Sequence, residues 1–229
     1  MANQLTLDLA LPPPTYARED FVVAAGNREA LAWLDRWPDW PGPGLAIHGP
    51  PGCGKTHIAH VFQAGAKARL LVPQDLERAT PLALLAGHRA CVLDEAPPVP
   101  ERALLHLYNA LAERGGHLLI VSRLPPARWG VELPDLASRL AALPAVRIDP
   151  PDDSLAEALL VKLFADRQLT VAPGVVAYLA ARLERSFEAL RRVVDRLDRE
   201  SLARHRAVGL ALAREIVEGE AASAQRPPD

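Results

Sequence analysis

Gly49-Pro50-Pro51-Gly52-Cys53-Gly54-Lys55-Thr56, followed later by Ala90-Cys91-Val92-Leu93-Asp94-Glu95, decides the reading of this chain. The first run fits G-x-x-x-x-G-K-[ST], a loop whose backbone N–H groups wrap phosphates. Gly49, Gly52 and Gly54 let the backbone approach an anion at angles that a Cβ forbids. Lys55 sets a charge against the β- and γ-phosphates, and Thr56 offers a hydroxyl to magnesium. A helix fits after Lys55, so its positive N-terminal end adds to the same site. Pro50, Pro51 and Cys53 complete the loop, and His57 follows it as a further cofactor-binding candidate. The second run is an apolar strand ending in two carboxylates, Asp94 for magnesium and Glu95 to polarise an attacking water. The expected ligand is a nucleoside triphosphate or its product, with Mg2+. None of Asn3, Asn27 and Asn109 precedes a lysine, so the guanine-reading Asn-Lys-x-Asp is absent and the base expected is adenine, in ADP or ATP.

Working outward, five short apolar segments at 45–48, 69–72, 90–93, 118–121 and 145–148 read as strands. Helical stretches fit between them, after Lys55 and over 76–85, 101–113 and 135–142. Such alternation predicts an α/β core with a five-stranded parallel sheet covered on both faces. After Pro150-Pro151 the pattern becomes helical only. Ser154-x-x-Glu157 reads as a capping box, with Leu155, Leu159 and Leu163 recurring at helical spacing behind it. Pro173-Gly174 precedes a second helix. A third sets Phe187, Leu190, Val194 and Leu197 on one face, and a last helix fits over 208–217. The expected division is an extended peptide with a proline spacer over 1–15, a nucleotide-binding core over 16–149, a small all-helical lid over 150–220, and a disordered tail over 221–229.

The 229 residues suffice for one domain and a small appendage, and the composition (49% hydrophobic, mean hydropathy +0.02) is that of an ordinary globular chain. No apolar run reaches the ~18 residues of a membrane span, and the start Met1-Ala2-Asn3-Gln4 lacks a secretory n-region, so a cytoplasmic protein is expected. Cys53 and Cys91 have no metal-ligand spacing and read as free buried thiols. A net charge of -2 argues against coating nucleic acid directly. Residues 182–206 carry eight Arg against five acids, interleaved as on a solvated helix face. His57 and His60, three apart on one helix, read as packing or solvated residues and not as a metal pair.

Leu118–Val121 ends in the polar Ser122-Arg123, where an inner strand would point at the γ-phosphate, an arrangement that resembles the AAA+ ATPases. Phe21-Val22-Val23 with Asn27, the phosphate loop, Asp94-Glu95-Ala96, Pro125-Pro126, Trp37-Pro38-Asp39-Trp40 and the run Leu133-Pro134-Asp135-Leu136-Ala137-Ser138-Arg139-Leu140 together resemble the DnaA-related AAA+ family. The likeness is to its regulatory Hda-type branch, in the short form typical of alphaproteobacteria. That resemblance implies that Arg139 is an arginine finger acting in trans on a neighbouring molecule's triphosphate. It implies that Phe21, Val22 and Val23 lie near the adenine, and that Arg185 is the second sensor arginine of the lid. DnaA continues into a DNA-binding domain where this sequence stops, which favours the regulator over the initiator.

Gln4-Leu5-Thr6-Leu7-Asp8-Leu9 fits the Q-L-x-L-x-L peptide by which Hda-type proteins dock on the β sliding clamp of DNA polymerase III. Gln4 would satisfy polar groups at a pocket rim, and burial of Leu5, Leu7 and Leu9 yields about 3–9 kcal/mol before ordering costs. The implied function is negative regulation of replication initiation, with DnaA and the clamp as partners, DNA reached only through the clamp, and a second copy of the chain as a further partner. Replisome or nucleoid association follows. Related initiators tend to carry Asp where Arg123 stands, so unaided ATP hydrolysis is expected to be weak. The alternative is a DNA-handling ATPase, such as a helicase loader or truncated initiator; a small-molecule kinase would need an acceptor pocket for which the short connections leave little room.

Overall fold

Alternate side chains of a strand point to opposite faces, and here both faces meet apolar helices. The computed structural model describes residues 16–224. Its core runs α1 (Arg28–Asp35), β1 (Gly44–His48), α2 (Lys55–Ala66), β2 (Arg69–Leu71), α3 (Pro73–Arg78), α4 (Pro81–Leu84), β3 (Ala90–Ala96), α5 (Glu101–Glu113), β4 (His117–Ser122), α6 (Pro134–Ala141) and β5 (Ala145–Arg147). The five strands form one parallel sheet in the order β2-β3-β4-β1-β5. Leu45 and Ile47 face one way, packing with Ile58 and Phe62 of α2 and Leu31 of α1. Ala46, Cys91, Leu93 and Ile120 face the other, against Leu104, Leu107 and Leu111 of α5 and Leu136 and Leu140 of α6. Strands buried on both faces are why the sequence reads as continuous apolar runs there.

The lid comprises α7 (Asp153–Asp166), α8 (Pro173–Ala180), α9 (Phe187–Ala203) and α10 (Leu210–Ala224). Leu159, Leu163, Leu190, Val194, Leu197 and Ile216 lie in its own apolar core. Val22 and Ala24 of the N-terminal segment pack on that lid core, while Phe21 belongs to the sheet core. The segment therefore stitches the two together.

Four local expectations are corrected. The single helix over 76–85 is two, because Pro81 cannot donate within a helix and drives Thr80 to extended backbone; Thr80 Oγ1 then caps α4 by accepting from Ala83 N at 3.4 Å. Ser154 does not cap α7. The cap is Asp152, whose Oδ1 accepts from Leu155 N and from Ser154 Oγ, both at 2.8 Å. The last helix continues to Ala224 through residues expected to form part of a tail. And α1 was not expected: its Ala30, Leu31 and Leu34 are buried at the spacing of a single amphipathic stripe.

Candidate nucleotide-binding site

β1 lies between β4 and β5, so the chain leaving its carboxyl end enters the crevice where the connections diverge, the usual ligand position in an open parallel sheet. The loop from Gly49 to Gly54 fills that position. A Cβ on Gly49 would stand 2.3 Å from the carbonyl oxygen of Ile148. Gly52 has φ +71° and Gly54 φ +99°, left-handed backbone that glycine adopts without penalty. The Lys55 ammonium donates to the Pro50 carbonyl at 2.6 Å and so lies over the loop. Thr56 is exposed in the first turn of α2. Cys53 is buried, and burial pushes its thiol up against the opposing pull of Lys55, so it stays protonated.

The paired carboxylates occupy an irregularity in β3. Pairing with β4 is regular up to Leu93 opposite Ile120 and resumes at Ala96 opposite Ser122, leaving one extra residue on β3. Such a bulge re-aims side chains. Asp94 is buried and its Oδ1 accepts from Glu95 N at 2.8 Å. Glu95 is exposed at φ +63°, a conformation costing a non-glycine residue about 1–3 kcal/mol and found most often where function requires it. Between the carboxylates and the loop runs β4. The carbonyl of its buried Ser122 accepts from Gly49 N at 3.2 Å. Arg123, next in sequence, is exposed.

Beside the loop a cavity of about 30 Å³ is lined by Phe21, Val22, Asn27, Cys53, Gly54, His57, Pro151, Leu155, Leu159 and Phe187. It accommodates a water or two and not a purine, so admitting a base requires Phe187 or the lid to move. Asn27 orders this wall: it is buried, its Nδ2 donates to the Val22 carbonyl at 2.9 Å, and its Oδ1 accepts from Ala24 N at 2.8 Å. Phe21 meets His57 edge-on at 5.1 Å, and His60 stacks on Tyr16 at 4.2 Å. Both histidines thus pack among aromatic rings. Val23, expected beside Val22, is 48% exposed and is not among the residues lining this cavity.

Two lid residues missed in the sequence close the site. The Phe187 amide donates to the Gly52 carbonyl at 2.8 Å, and a Cβ on Gly52 would fall 2.3 Å from that of Ser186, which caps α9 by accepting from Ala189 N. The sequence signal available was Ser186 itself, a good N-cap ahead of a periodic apolar run. Arg185 instead pairs with Asp153 at 2.7 Å, with both side chains largely exposed, and does not line the cavity.

Arg139 is exposed near the end of α6, its guanidinium 5.5 Å from the ring centroid of Tyr108 on α5. Among the described residues it forms no ion pair. Gln4, Leu5, Leu7 and Leu9 lie outside the described residues. Among those described, no helix is long and apolar enough to cross a membrane, and no cluster of His, Cys, Asp and Glu could hold a metal by itself.

Comparison with known proteins adds a match for the lid and the fold of the chain. Residues 153–217 match the family described as Hda, lid domain. Domain III of the replication initiation protein DnaA from Thermotoga maritima superposes with a TM-score of 0.77 at 19% identity, covering 90% of this chain and 97% of that one. AMPPCP-bound DnaA from Aquifex aeolicus gives 0.67 at 19% identity, over 81% of this chain and 66% of that one. A Thermotoga maritima RuvB variant, A156S, gives 0.70 at 16% identity, over 89% and 72%. At these identities the structural matches establish the fold. The lid thus matches the Hda lid-domain model over residues 153–217, and the chain folds like DnaA domain III.

Proposed function

We propose that this protein is a nucleotide-dependent regulator of replication initiation, tethered to the sliding clamp and acting on DnaA. The observation that carries the reading is Arg139: a guanidinium held outward on α6, with no ion pair among the described residues of its own chain. That disposition suits a finger inserted into another molecule's nucleotide, a contribution worth about 10³–10⁵ in phosphoryl transfer.

The residues present suit an adenine nucleotide. A glycine cradle that a Cβ would fill, the Lys55 ammonium and the N-terminus of α2 answer a polyphosphate. Phe21, Val22 and Asn27 offer an apolar wall with an ordered backbone for the base. Thr56 and Asp94 would hold Mg2+, which when bound neutralises phosphate charge, and Glu95 would orient a water. Relatives of the same fold bind AMPPCP. The pocket is read as holding ADP or ATP in a structural role, with turnover weakened by Arg123 where the related initiators tend to have Asp. Arg185 would reach phosphate only by leaving Asp153, so its sensor role requires a rearranged lid.

Gln4, Leu5, Leu7 and Leu9 would anchor the chain on the clamp, raising its effective concentration near DnaA on replicating DNA. The deciding experiment measures ATP hydrolysis by purified DnaA with and without this protein and DNA-loaded clamp. Wild type should accelerate it. Arg139→Ala should bind nucleotide and clamp yet fail to accelerate, and retained acceleration removes the finger. Gln4→Ala should abolish clamp pull-down with ADP affinity unchanged; equal retention by that variant removes the tether.

A further inference from the structure

We propose that Glu101 is a positioning residue for Arg139, fixing the orientation in which α6 presents its guanidinium; the inference rests on the finger reading above. Glu101 is the first residue of α5, and its two carboxylate oxygens are both engaged by the chain entering α6. Oε1 accepts from Glu132 N at 3.0 Å and Oε2 from Leu133 N at 2.7 Å. Leu133 is the N-cap of α6, and its side chain offers no cap of its own. The two amides just before α6 therefore find an acceptor in a neighbouring helix, through charge-assisted bonds roughly twice as strong as neutral ones.

The other end of α6 rests on the same support. Arg139 lies over Tyr108, seven residues along α5 from Glu101 and so about 10 Å up one helix face. Tyr108 is buried, and burial pushes its hydroxyl up, so the ring stays neutral beneath the cation. Leu136 and Leu140 pack into the core that α5 shares. α6 is thus clamped at its entry by a bidentate carboxylate and at its arginine by an aromatic face.

The support is joined closely to the chain's own nucleotide site. Only Pro97-Pro98-Val99-Pro100 separates β3, with Asp94 and Glu95, from Glu101. Three prolines in four residues make a stiff connection, because each fixes its own φ.

The test is maximal stimulation of DnaA turnover, separated from the concentration giving half of it. Misplacing a reacting group by about an ångström costs up to 10²-fold. Glu101→Ala should lower the maximum by about 10- to 10²-fold with half-saturation and ADP affinity unchanged, and Glu101→Gln, keeping one acceptor, should fall between. Tyr108→Phe should stay near wild type while Tyr108→Leu loses stimulation. If Arg139→Ala abolishes stimulation but Glu101→Ala and Tyr108→Leu retain it, the positioning role is overturned and the finger stands. If Glu101→Ala and Glu101→Gln also weaken ADP binding or half-saturation, Glu101 serves general stability and the proposal is overturned. If Arg139→Ala itself stimulates normally, the finger reading falls first and takes this with it.

Discussion

Replacing Gly52 by alanine should unlatch the lid, and Gly54→Ala separates that effect from backbone strain. Both glycines sit at positive φ, so alanine at either costs about 1–2 kcal/mol in the left-handed region. They differ in what the new methyl meets. At Gly54 its nearest neighbour is the Phe21 ring at 3.7 Å, ordinary van der Waals contact; at Gly52 it would lie 2.3 Å from the Cβ of Ser186. Carbon atoms settle at about 3.5–4.0 Å, so loop and lid must part by more than an ångström. The separation breaks the bond from the Phe187 amide to the Gly52 carbonyl, worth about 0.5–1.5 kcal/mol, and opens the apolar surroundings of Phe187 to water. Lid opening relieves the clash and so caps the cost, giving Gly52→Ala about 1–3 kcal/mol of extra local destabilisation. At about 1.4 kcal/mol per decade, the Phe187 amide should exchange about 5- to 140-fold faster in Gly52→Ala than in Gly54→Ala. Equal protection of that amide in the two variants would refute the latch.

Within the lid, Arg167 and Asp195 form a largely buried pair, and Arg167 also donates to the Leu163 carbonyl at 2.9 Å. Asp195→Ala should cost about 3–5 kcal/mol by stranding the cation, and Arg167→Met combined with Asp195→Leu should recover most of it; calorimetric unfolding of the three proteins checks this. His117 lies edge-on between Trp37 and Trp40, and burial lowers its pKa below the ordinary 6.5. The unfolded imidazole therefore takes a proton that the folded one resists, so stability is fully present above about pH 6.5 and falls as pH drops toward the lowered folded value. Urea midpoints across that window should decline less steeply for His117→Phe than for wild type. Glu95→Gly relieves left-handed strain while adding chain entropy, a net gain of up to about 1 kcal/mol. The same variant should lose whatever ATP hydrolysis the chain performs unaided, read as released phosphate; lower stability would show that the bulge does not strain Glu95.

The strands were legible because a parallel sheet buried on both faces leaves uninterrupted apolar runs, and the phosphate loop because its demands on backbone are written as glycines. α1 escaped notice for the opposite reason. Ala30, Leu31 and Leu34 make too short a stripe to distinguish from a loop until Trp40 and Phe62 are seen stacked at 5.2 Å behind them. Ser154-x-x-Glu157 misled because two nearby residues could each cap α7. Asp152, an ionised acceptor two residues nearer the core exit, reaches Leu155 N instead, and that bond holds its carboxyl below the usual range.

The site divides along the same line. Whatever depends on local backbone, such as Gly52, Gly54 and the carboxylates ending β3, can be read from neighbours in sequence. Whatever depends on an approach between distant segments cannot: nothing near Gly52 announces that Ser186 will rest on it, and nothing near Arg139 announces Glu101. On the proposed reading these distant approaches are also the ones able to change with a nucleotide, since a lid seated on the loop would have to shift for a purine to enter a cavity of about 30 Å³. The glycines can create the binding site, but its response has to arise from Ser186, Phe187 and their counterparts across the interface. Substitutions there should alter coupling more than affinity.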